Sequence, residues 1–361
     1  LLDLPLLSKD FRSFADESLR LARAPGRTAL AGEYLATLQG IDPKAAENET
    51  DARALAKAFT GYLAACRADE HALSMLPPGR FLMPGALDGS PALTFAPLDL
   101  ARHPGPATPG SLLSMMERRF EAYKKYVVRP FFHDHFARLD RQIVLVDALQ
   151  ALNAGPAALR DLETALGQVL TSFRPGRSSW LSSILTRRID RILFAATKAD
   201  HLHRDDHDRL ESILRRLVAR GIEHAQFRGA EVEVLALAAV RATREATVRH
   251  AGEDLPAILG TPLPGEAVNG DKYDGRTEIA MFPGDLPEEA DSLFQSPESE
   301  SSPAEVDSNS ELQRLYEEKK GQTGLRFVRF RPPALERTAE GLTLSLPHIR
   351  LDRAINFLIG D

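Results

Sequence analysis

Three short apolar runs, separated by two amphipathic stretches, constrain the fold of this chain more than any other feature of its sequence. The runs lie at 142–146, 191–196 and 232–237. Each run is short enough for a buried strand, whereas the stretches between them carry leucine and isoleucine at the spacing of one helix face. A strand–helix–strand–helix–strand order is typical of a parallel sheet with crossover connections. The sequence therefore predicts an α/β fold.

The first part of the chain has a helical pattern instead. One helix is indicated by apolar residues on a single face, namely Leu55, Phe59, Tyr62, Leu63 and Cys66. A longer helix is expected from about Pro109 to near Pro130, because proline interrupts helices. We therefore predict a helical domain over 1–138 and an α/β domain over 139–361. Within the latter, the acidic and serine-rich stretch 285–310 is predicted to be a disordered loop, since it has too little apolar surface to bury.

Composition limits the class of protein. The chain has 361 residues and a net charge of −6, which argues against a general nucleic-acid binder. Its single cysteine, Cys66, excludes a disulfide framework and fits a reducing compartment, so we expect a cytoplasmic protein. No apolar run reaches membrane-spanning length, so membrane contact is expected to be peripheral at most. The chain opens in apolar sequence at Leu1 without a signal-peptide pattern, and we expect it to begin within a larger fold.

The most specific candidate site follows the second apolar run, where the sequence reads Thr197-Lys198-Ala199-Asp200. Parallel sheets bind ligands at the carboxyl ends of their strands. There, the Asp200 carboxylate could accept both N–H groups of a guanine edge, through charge-assisted bonds of about 1.5–3 kcal/mol each. The Lys198 stem could cover the face of the base. A match to four residues is common, and the alternative is a solvated turn after the strand.

A second loop follows the third apolar run. Its residues Ala239, Val240 and Arg241 could present a backbone N–H to the guanine carbonyl oxygen, with Ala239 small enough for close approach. The alternative here is an ordinary strand-to-helix turn. The nearest match to a phosphate-binding loop, at 270–277, lacks the preceding strand and the following helix that such a loop needs. The sequence therefore contains candidate residues for binding the guanine base but no phosphate-binding loop.

Two further clusters have alternative interpretations. The first comprises His201, His203 and His207 with Asp205 and Asp206, which could bind a metal but more often mark the start of a helix. A metal-dependent hydrolase is the function that this cluster would support. The second is a set of cations that could bind a membrane surface or a protein partner, or could form the solvated face of a helix. They are Arg118, Arg119, Lys124, Lys125 and Arg129.

Several segments together resemble the YcjX-like bacterial P-loop NTPases. The resemblance is carried by YKKYVVRPFF at 123–132, LDRQIVLVDALQ at 139–150 and TKADHL at 197–202, with GRFLMPG at 79–85 and LDRA at 351–354. It covers most of the chain apart from the acidic stretch. It implies a GTP-binding protein whose nucleotide domain is interrupted by a large helical insertion.

The resemblance also implies a function and its cofactors. By resemblance, we expect a cytoplasmic, stress-associated GTPase that uses GTP or GDP and Mg²⁺. By resemblance, Thr197, Lys198 and Asp200 recognise the base, and Ala239, Val240 and Arg241 form the second base loop. The family's P-loop, first switch and Asp-x-x-Gly motif are expected upstream of Leu1, so this chain alone is expected to be inactive and its catalytic residues and Mg²⁺ ligands are not assigned. The alternative is an interaction scaffold that docks a protein partner on the helical insertion.

Overall fold

Two compact units make up the structure, a computed structural model. It describes residues 2–101, 103, 105–136, 139–172, 189–250, 253–268, 271–294, 328–334, 337–338, 341–342 and 346–360. One unit comprises Leu1–Asp140 with Arg160–Arg188, and the other comprises Arg141–Leu159 with Ile189–Asp361. The first boundary lies next to the predicted 138/139 division. The helical unit also includes Arg160–Arg188, which lie in the α/β domain of the predicted division.

The first unit is helical, and side-chain caps define several of its helix starts. Asp10 accepts a hydrogen bond from Ser13 N, and Asn48 accepts one from Thr50 N. The helices are α1 Phe11–Ala22, α2 Gly32–Gln39, α3 Glu49–Arg67, α4 Gly79–Leu82, α5 Leu112–Tyr123 and α6 Arg129–Phe131. Short 3₁₀ turns lie at Leu4–Ser8, Gly85–Leu87 and Pro91–Leu93, and π turns at Lys124–Val128 and Phe132–Phe136.

The expectation that helical structure stops near Pro130 is wrong. Helical turns continue beyond Pro130 to Phe136, with the proline inside α6. The π turn before it bonds Arg129 N to Lys124 O. Pro130 lies directly after the junction of this π turn with α6.

An aromatic cluster forms the core of the helical unit. The rings of Phe14 and Phe120 stack at 4.8 Å, and Phe95 packs edge-on against Phe120 at 5.8 Å. Tyr34 and Phe59 lie beside them with centroids 5.1 Å apart. Because aromatic side chains bury large areas, this cluster joins α1, α2, α3 and α5 into one core.

The second unit contains the predicted parallel sheet, which confirms the α/β class. The strands are β1 Arg141–Val146, β2 Arg191–Ala196 and β3 Glu231–Ala236, in the order β1-β2-β3 with parallel pairing. The helices are α7 Ala148–Ala154, α8 Pro156–Ser172, α9 His207–Leu217, α10 Ala219–Phe227 and, at the end of the chain, α11 Leu351–Ile359, with 3₁₀ turns at Ala199–His201 and Arg204–Asp206. Helix α8 passes from this unit into the helical one at Arg160.

Further short strands lie between β3 and α11. They are β4 Arg244–His250, β5 Glu253–Gly260, β6 Ala267–Val268, β7 Asp271–Lys272, β8 Ile279–Met281, β9 Arg337–Thr338 and β10 Gly341–Leu342. Strands β4, β5 and β8 form an antiparallel sheet, and its small core contains Ile258, Met281 and Phe330.

The acidic stretch is described only in its first part. Leu286 is buried, and residues Ala290–Phe294 form a 3₁₀ turn whose Asp291 accepts a hydrogen bond from Arg216. Residues 295–310, where most of the predicted disordered loop falls, lie outside the described residues. Within the described ranges, no helix has both the length and the apolar content needed to cross a bilayer.

Candidate functional site

The candidate residues meet at the carboxyl edge of the parallel sheet. Asp147 follows β1, Thr197 follows β2, and the loop 237–243 follows β3. Because the strands pair in register, these three strand ends lie side by side. This edge is where open α/β sheets bind ligands.

Thr197 is anchored to the neighbouring strand rather than presented to solvent. Its backbone N–H donates to Val146 O at 2.9 Å, and its hydroxyl lies 3.3 Å from the same carbonyl. Ala199 N donates to Leu237 O at 3.2 Å on the other side. The turn after β2 is therefore fixed to both neighbours of that strand.

Lys198 has a left-handed backbone, with φ 63° and ψ 32°. This conformation costs a residue with a Cβ about 1–2 kcal/mol, and such strain concentrates at functional sites. The half-buried side chain places Nζ 2.6 Å from Asp147 Oδ2. The other oxygen of Asp147 accepts from Gln150 N at 3.2 Å, so the carboxylate both caps α7 and pairs with the lysine.

Asp200 is held against the loop after β3. Its Oδ2 accepts from Ala242 N at 2.8 Å, and its backbone oxygen accepts from the hydroxyl of Thr243. The residue is only 4% exposed. Among the hydrogen bonds of the described residues, Oδ1 accepts none. The Asp200 carboxylate therefore joins the loop after β2 to the loop after β3, a role that the sequence did not indicate.

The second loop presents two of its three predicted residues. Ala239 and Val240 are exposed, and within the described part of the chain their amides make no hydrogen bond. The amide of Arg241 is occupied, because it donates to Pro347 O at 2.7 Å. The Arg241 side chain donates to Thr243 O at 3.0 Å and lies 3.2 Å from Glu245. Arg241 therefore fixes the loop, whereas the amides of Ala239 and Val240 have no hydrogen-bond partner among the described residues.

The predicted histidine cluster is divided among separate partners. His201 packs edge-on against Phe330 at 5.3 Å, and His203 lies 3.0 Å from Asp205. His207 Nε2 donates to Ala199 O at 2.9 Å. Burial lowers the pKa of His201 and of His207, which favours the neutral form of both rings. Within the described ranges, no three His, Cys, Asp or Glu residues are placed to hold one metal ion.

The basic residues after 117 are largely paired. Arg118 lies 2.6 Å from Glu47, and Arg119 contacts Glu49. Lys124 is buried and donates to Lys9 O at 2.6 Å. Three of the five cations considered for a membrane or partner surface therefore contribute to the fold of the helical unit. The loop considered as a phosphate cradle leads into β8, and its described part is closed by an Asx turn at Asp274.

Two contacts at the carboxyl edge of the parallel sheet are not predicted by the sequence analysis. One is the ion pair of Lys198 with Asp147, which the placement of an aspartate directly after β1 could have indicated. The other is Glu211 on α9, which accepts from Ala236 N at 2.8 Å and pairs with Arg350. Nothing in the sequence pattern of α9 distinguishes this glutamate from its solvated neighbours.

The model of the YcjX-like family, DUF463, matches residues 1–361. The chain is 34% identical over 366 residues to a protein named Ras-like GTPase YcjX from Escherichia coli strain K12, covering 100% of this chain and 70% of that protein. It is 30% identical over 367 residues to a protein of the same name from Shewanella oneidensis strain MR-1, covering 100% of this chain and 68% of that protein. The match runs through both compact units and includes the sheet edge just described, and the chain therefore belongs to the YcjX-like family.

Proposed function

We propose that this chain carries the guanine-recognition half of a GTP-binding and GTP-hydrolysing site. The observation that carries the proposal is the convergence of two loops at one sheet edge, joined by the Asp200–Ala242 hydrogen bond. The relatives named as Ras-like GTPases support it. The P-loop, the switches and the Mg²⁺ ligands would come from sequence outside these 361 residues, so the chain alone would not hydrolyse GTP.

The proposed chemistry uses the atoms that remain available. Asp200 Oδ1 accepts one guanine N–H, and Oδ2 accepts the other in addition to Ala242 N, because a carboxylate has about four acceptor positions. The amide of Val240 donates to the guanine carbonyl oxygen. Lys198 leaves Asp147 and lays its stem along the base.

Adenine is rejected by the same arrangement. It has no pair of adjacent N–H donors, so the Asp200 carboxylate would remain buried without them. The carboxylate would keep only its hydrogen bond from Ala242 N, and leaving a buried charged acceptor short of partners costs more than losing a neutral hydrogen bond. From the family resemblance alone, we also propose a cytoplasmic location and an association with stress.

The test is nucleotide binding by this chain and by the same chain extended to the length of its relatives. Fluorescent GDP and ADP are titrated into each, and we expect guanine-selective binding in the extended form. Asp200→Asn should then weaken GDP and favour xanthine nucleotides, because the amide reverses one donor–acceptor contact. An asparagine oxygen can still accept from Ala242 N, which preserves the loop.

Asp205→Asn is the matched control, because Asp205 lies on the same connection but is exposed. It should leave the guanine preference unchanged. Unchanged preference in Asp200→Asn would refute the assignment of the base site. Absence of selective binding in both chain lengths would favour the interaction scaffold instead.

A further inference from the structure

The loop after β3 is held at two points by one segment near the end of the chain. Ala238 N donates to Ile349 O at 3.1 Å, and Ile349 N donates to Ala238 O at 2.8 Å. Three residues further along the loop, Arg241 N donates to Pro347 O at 2.7 Å. Residues 347–349 therefore run alongside the loop and fix both of its ends.

Ala239 and Val240 lie between these two fixed points. Both residues are exposed, and neither amide has a hydrogen-bond partner among the described residues. An exposed amide without a partner is available to donate to a ligand. Its position is set by the residues on either side of it, so the 347–349 segment determines where the Val240 amide lies.

The side chain of Arg350 anchors this segment to α9. Its Nη1 donates to Glu211 Oε1, and its Nη2 donates to Asp208 Oδ1 at 3.1 Å. The two carboxylates lie three residues apart on one face of the helix, where a planar guanidinium can reach both. The Asp208 side chain is 87% exposed and that of Glu211 is 19% exposed, so water screens the Glu211 contact less.

Glu211 extends the anchor to the sheet. The same Oε1 atom that accepts from Arg350 also accepts from Ala236 N at 2.8 Å. Ala236 is the last residue of β3, immediately before the loop. One carboxylate oxygen therefore joins the strand that enters the loop to the arginine that ends the bracing segment.

The backbone of Arg350 is left-handed, with φ 56° and ψ 16°, directly before α11. This conformation is unfavourable for a residue with a Cβ, and such residues concentrate at functional sites. Among the described non-glycine residues, three have a positive φ, and Lys198 in the first base loop is another of them. Glycine would adopt this turn with less strain but would lack the guanidinium that reaches α9.

We propose that Arg350 is a positioning residue for guanine recognition. By tying residues 347–349 to α9 and to the end of β3, it places the Val240 amide where that amide donates to the guanine carbonyl oxygen. Arg350 acts through this segment, since its own guanidinium is bound to Glu211 and Asp208. The ligand named here rests on the proposed function.

Amide hydrogen exchange in this chain tests the anchor without any nucleotide. In Arg350→Gln, exchange at Ala238 N and Arg241 N should be at least about tenfold faster, because their carbonyl acceptors are no longer fixed. Arg353→Gln is the matched control, since Arg353 lies on α11 and pairs with Glu233 of β3 instead. Unchanged exchange in Arg350→Gln, or equal acceleration in both variants, would overturn the proposal.

Nucleotide binding by the chain extended to the length of its relatives tests the role in recognition. The probes are fluorescent GDP, inosine diphosphate and ADP. Arg350→Gln should weaken GDP and inosine diphosphate equally, by about 3- to 10-fold, which is the worth of one neutral hydrogen bond. Both bases carry the carbonyl oxygen that faces Val240, whereas adenine lacks it, so ADP binding should not change.

Equal weakening of all three nucleotides would indicate a general structural defect and would overturn the positioning role, as would unchanged GDP binding. If the parent extended chain does not prefer GDP to ADP, the proposed function fails and this ligand assignment fails with it. Amide exchange then still decides whether Arg350 fixes the loop.

Glu211→Gln is an independent variant in case Arg350→Gln does not fold. The glutamine oxygen still accepts from Ala236 N, but the charge that binds Arg350 is gone. The same changes in exchange and binding are expected, and the double variant should be little worse than either single variant, because both remove one contact. Additive effects would show that the two residues act separately and would overturn the proposed anchor.

Discussion

The buried ion pair of the helical unit gives the sharpest test of its packing energetics. Asp161 on α8 accepts from Arg27 Nη2 at 2.5 Å through one oxygen. Its other oxygen accepts from Ser74 N at 2.7 Å and from Met75 N at 2.8 Å. Arg27 is 5% exposed and Asp161 is 12% exposed. Replacing Asp161 with asparagine keeps the shape but removes the charge.

The expected cost follows from what is left behind. Burial by itself lowers the pKa of Arg27, but the Asp161 carboxylate and Tyr62 together raise the pKa above its ordinary value. In Asp161→Asn the guanidinium remains charged and buried without its counter-ion, which costs about 3–5 kcal/mol of unfolding free energy. Glu47→Gln is the control, because it removes an equally short arginine–carboxylate pair at an exposed position. That change should cost about 0–1 kcal/mol.

Cys66 reports on this region without any added probe. Its Sγ lies 3.9 Å from Arg27 Nη1, and burial raises the pKa of the thiol, so the folded state reacts slowly. Labelling therefore follows transient opening of the core. A loss of 3–5 kcal/mol corresponds to labelling about 10²–10⁴ times faster in Asp161→Asn, and urea unfolding should show the same loss.

Equal labelling rates for Asp161→Asn and Glu47→Gln would refute the reasoning. A double variant, Arg27→Met with Asp161→Leu, separates the charge effect from packing. It should recover much of the lost stability, because a buried pair can be replaced by apolar residues of similar volume. Failure of the double variant to exceed Asp161→Asn would assign the cost to the amide contacts instead.

Three further predictions concern the α/β unit. Unfolding free energy should fall as the pH drops below about 6.5, because burial lowers the folded-state pKa of His201 and His207 and the unfolded chain then binds more protons. Urea titrations at several pH values measure this dependence, and His207→Gln should flatten its slope. Gly260→Ala should lower stability by about 1–3 kcal/mol, because the added Cβ would lie 2.7 Å from the Phe330 ring, and a Tm no lower than that of the parent would contradict it. Lys198→Gly should change the free energy of unfolding by less than about 1 kcal/mol, because relief of the left-handed strain offsets the lost ion pair. Guanine-nucleotide binding by the extended chain should weaken. A larger loss in urea unfolding would show that the ion pair contributes more to stability than the strain costs.

The sequence by itself determined the local elements and their class. The apolar runs at 191–196 and 232–237 correspond to β2 and β3 within one residue, because strand patterns are set by neighbours in the chain. The inward face of α3 is likewise the predicted one, and all five of its apolar residues are buried. The position of residues 197–200 directly after β2 is also predicted from the sequence, because it depends only on where that strand ends.

Only the tertiary structure decided how those residues are used. The pairing of Asp200 with the amide of Ala242 joins positions 42 residues apart, and that of Lys198 with Asp147 joins strand ends separated by α7 and α8. Neither contact has a local signature, because each forms only when the parallel register brings three strand ends together. The exposure of Ile143 and Leu145 on β1 has the same origin. A run that is apolar on both faces predicts full burial, and which face is covered depends on where α11 packs, at the far end of the chain.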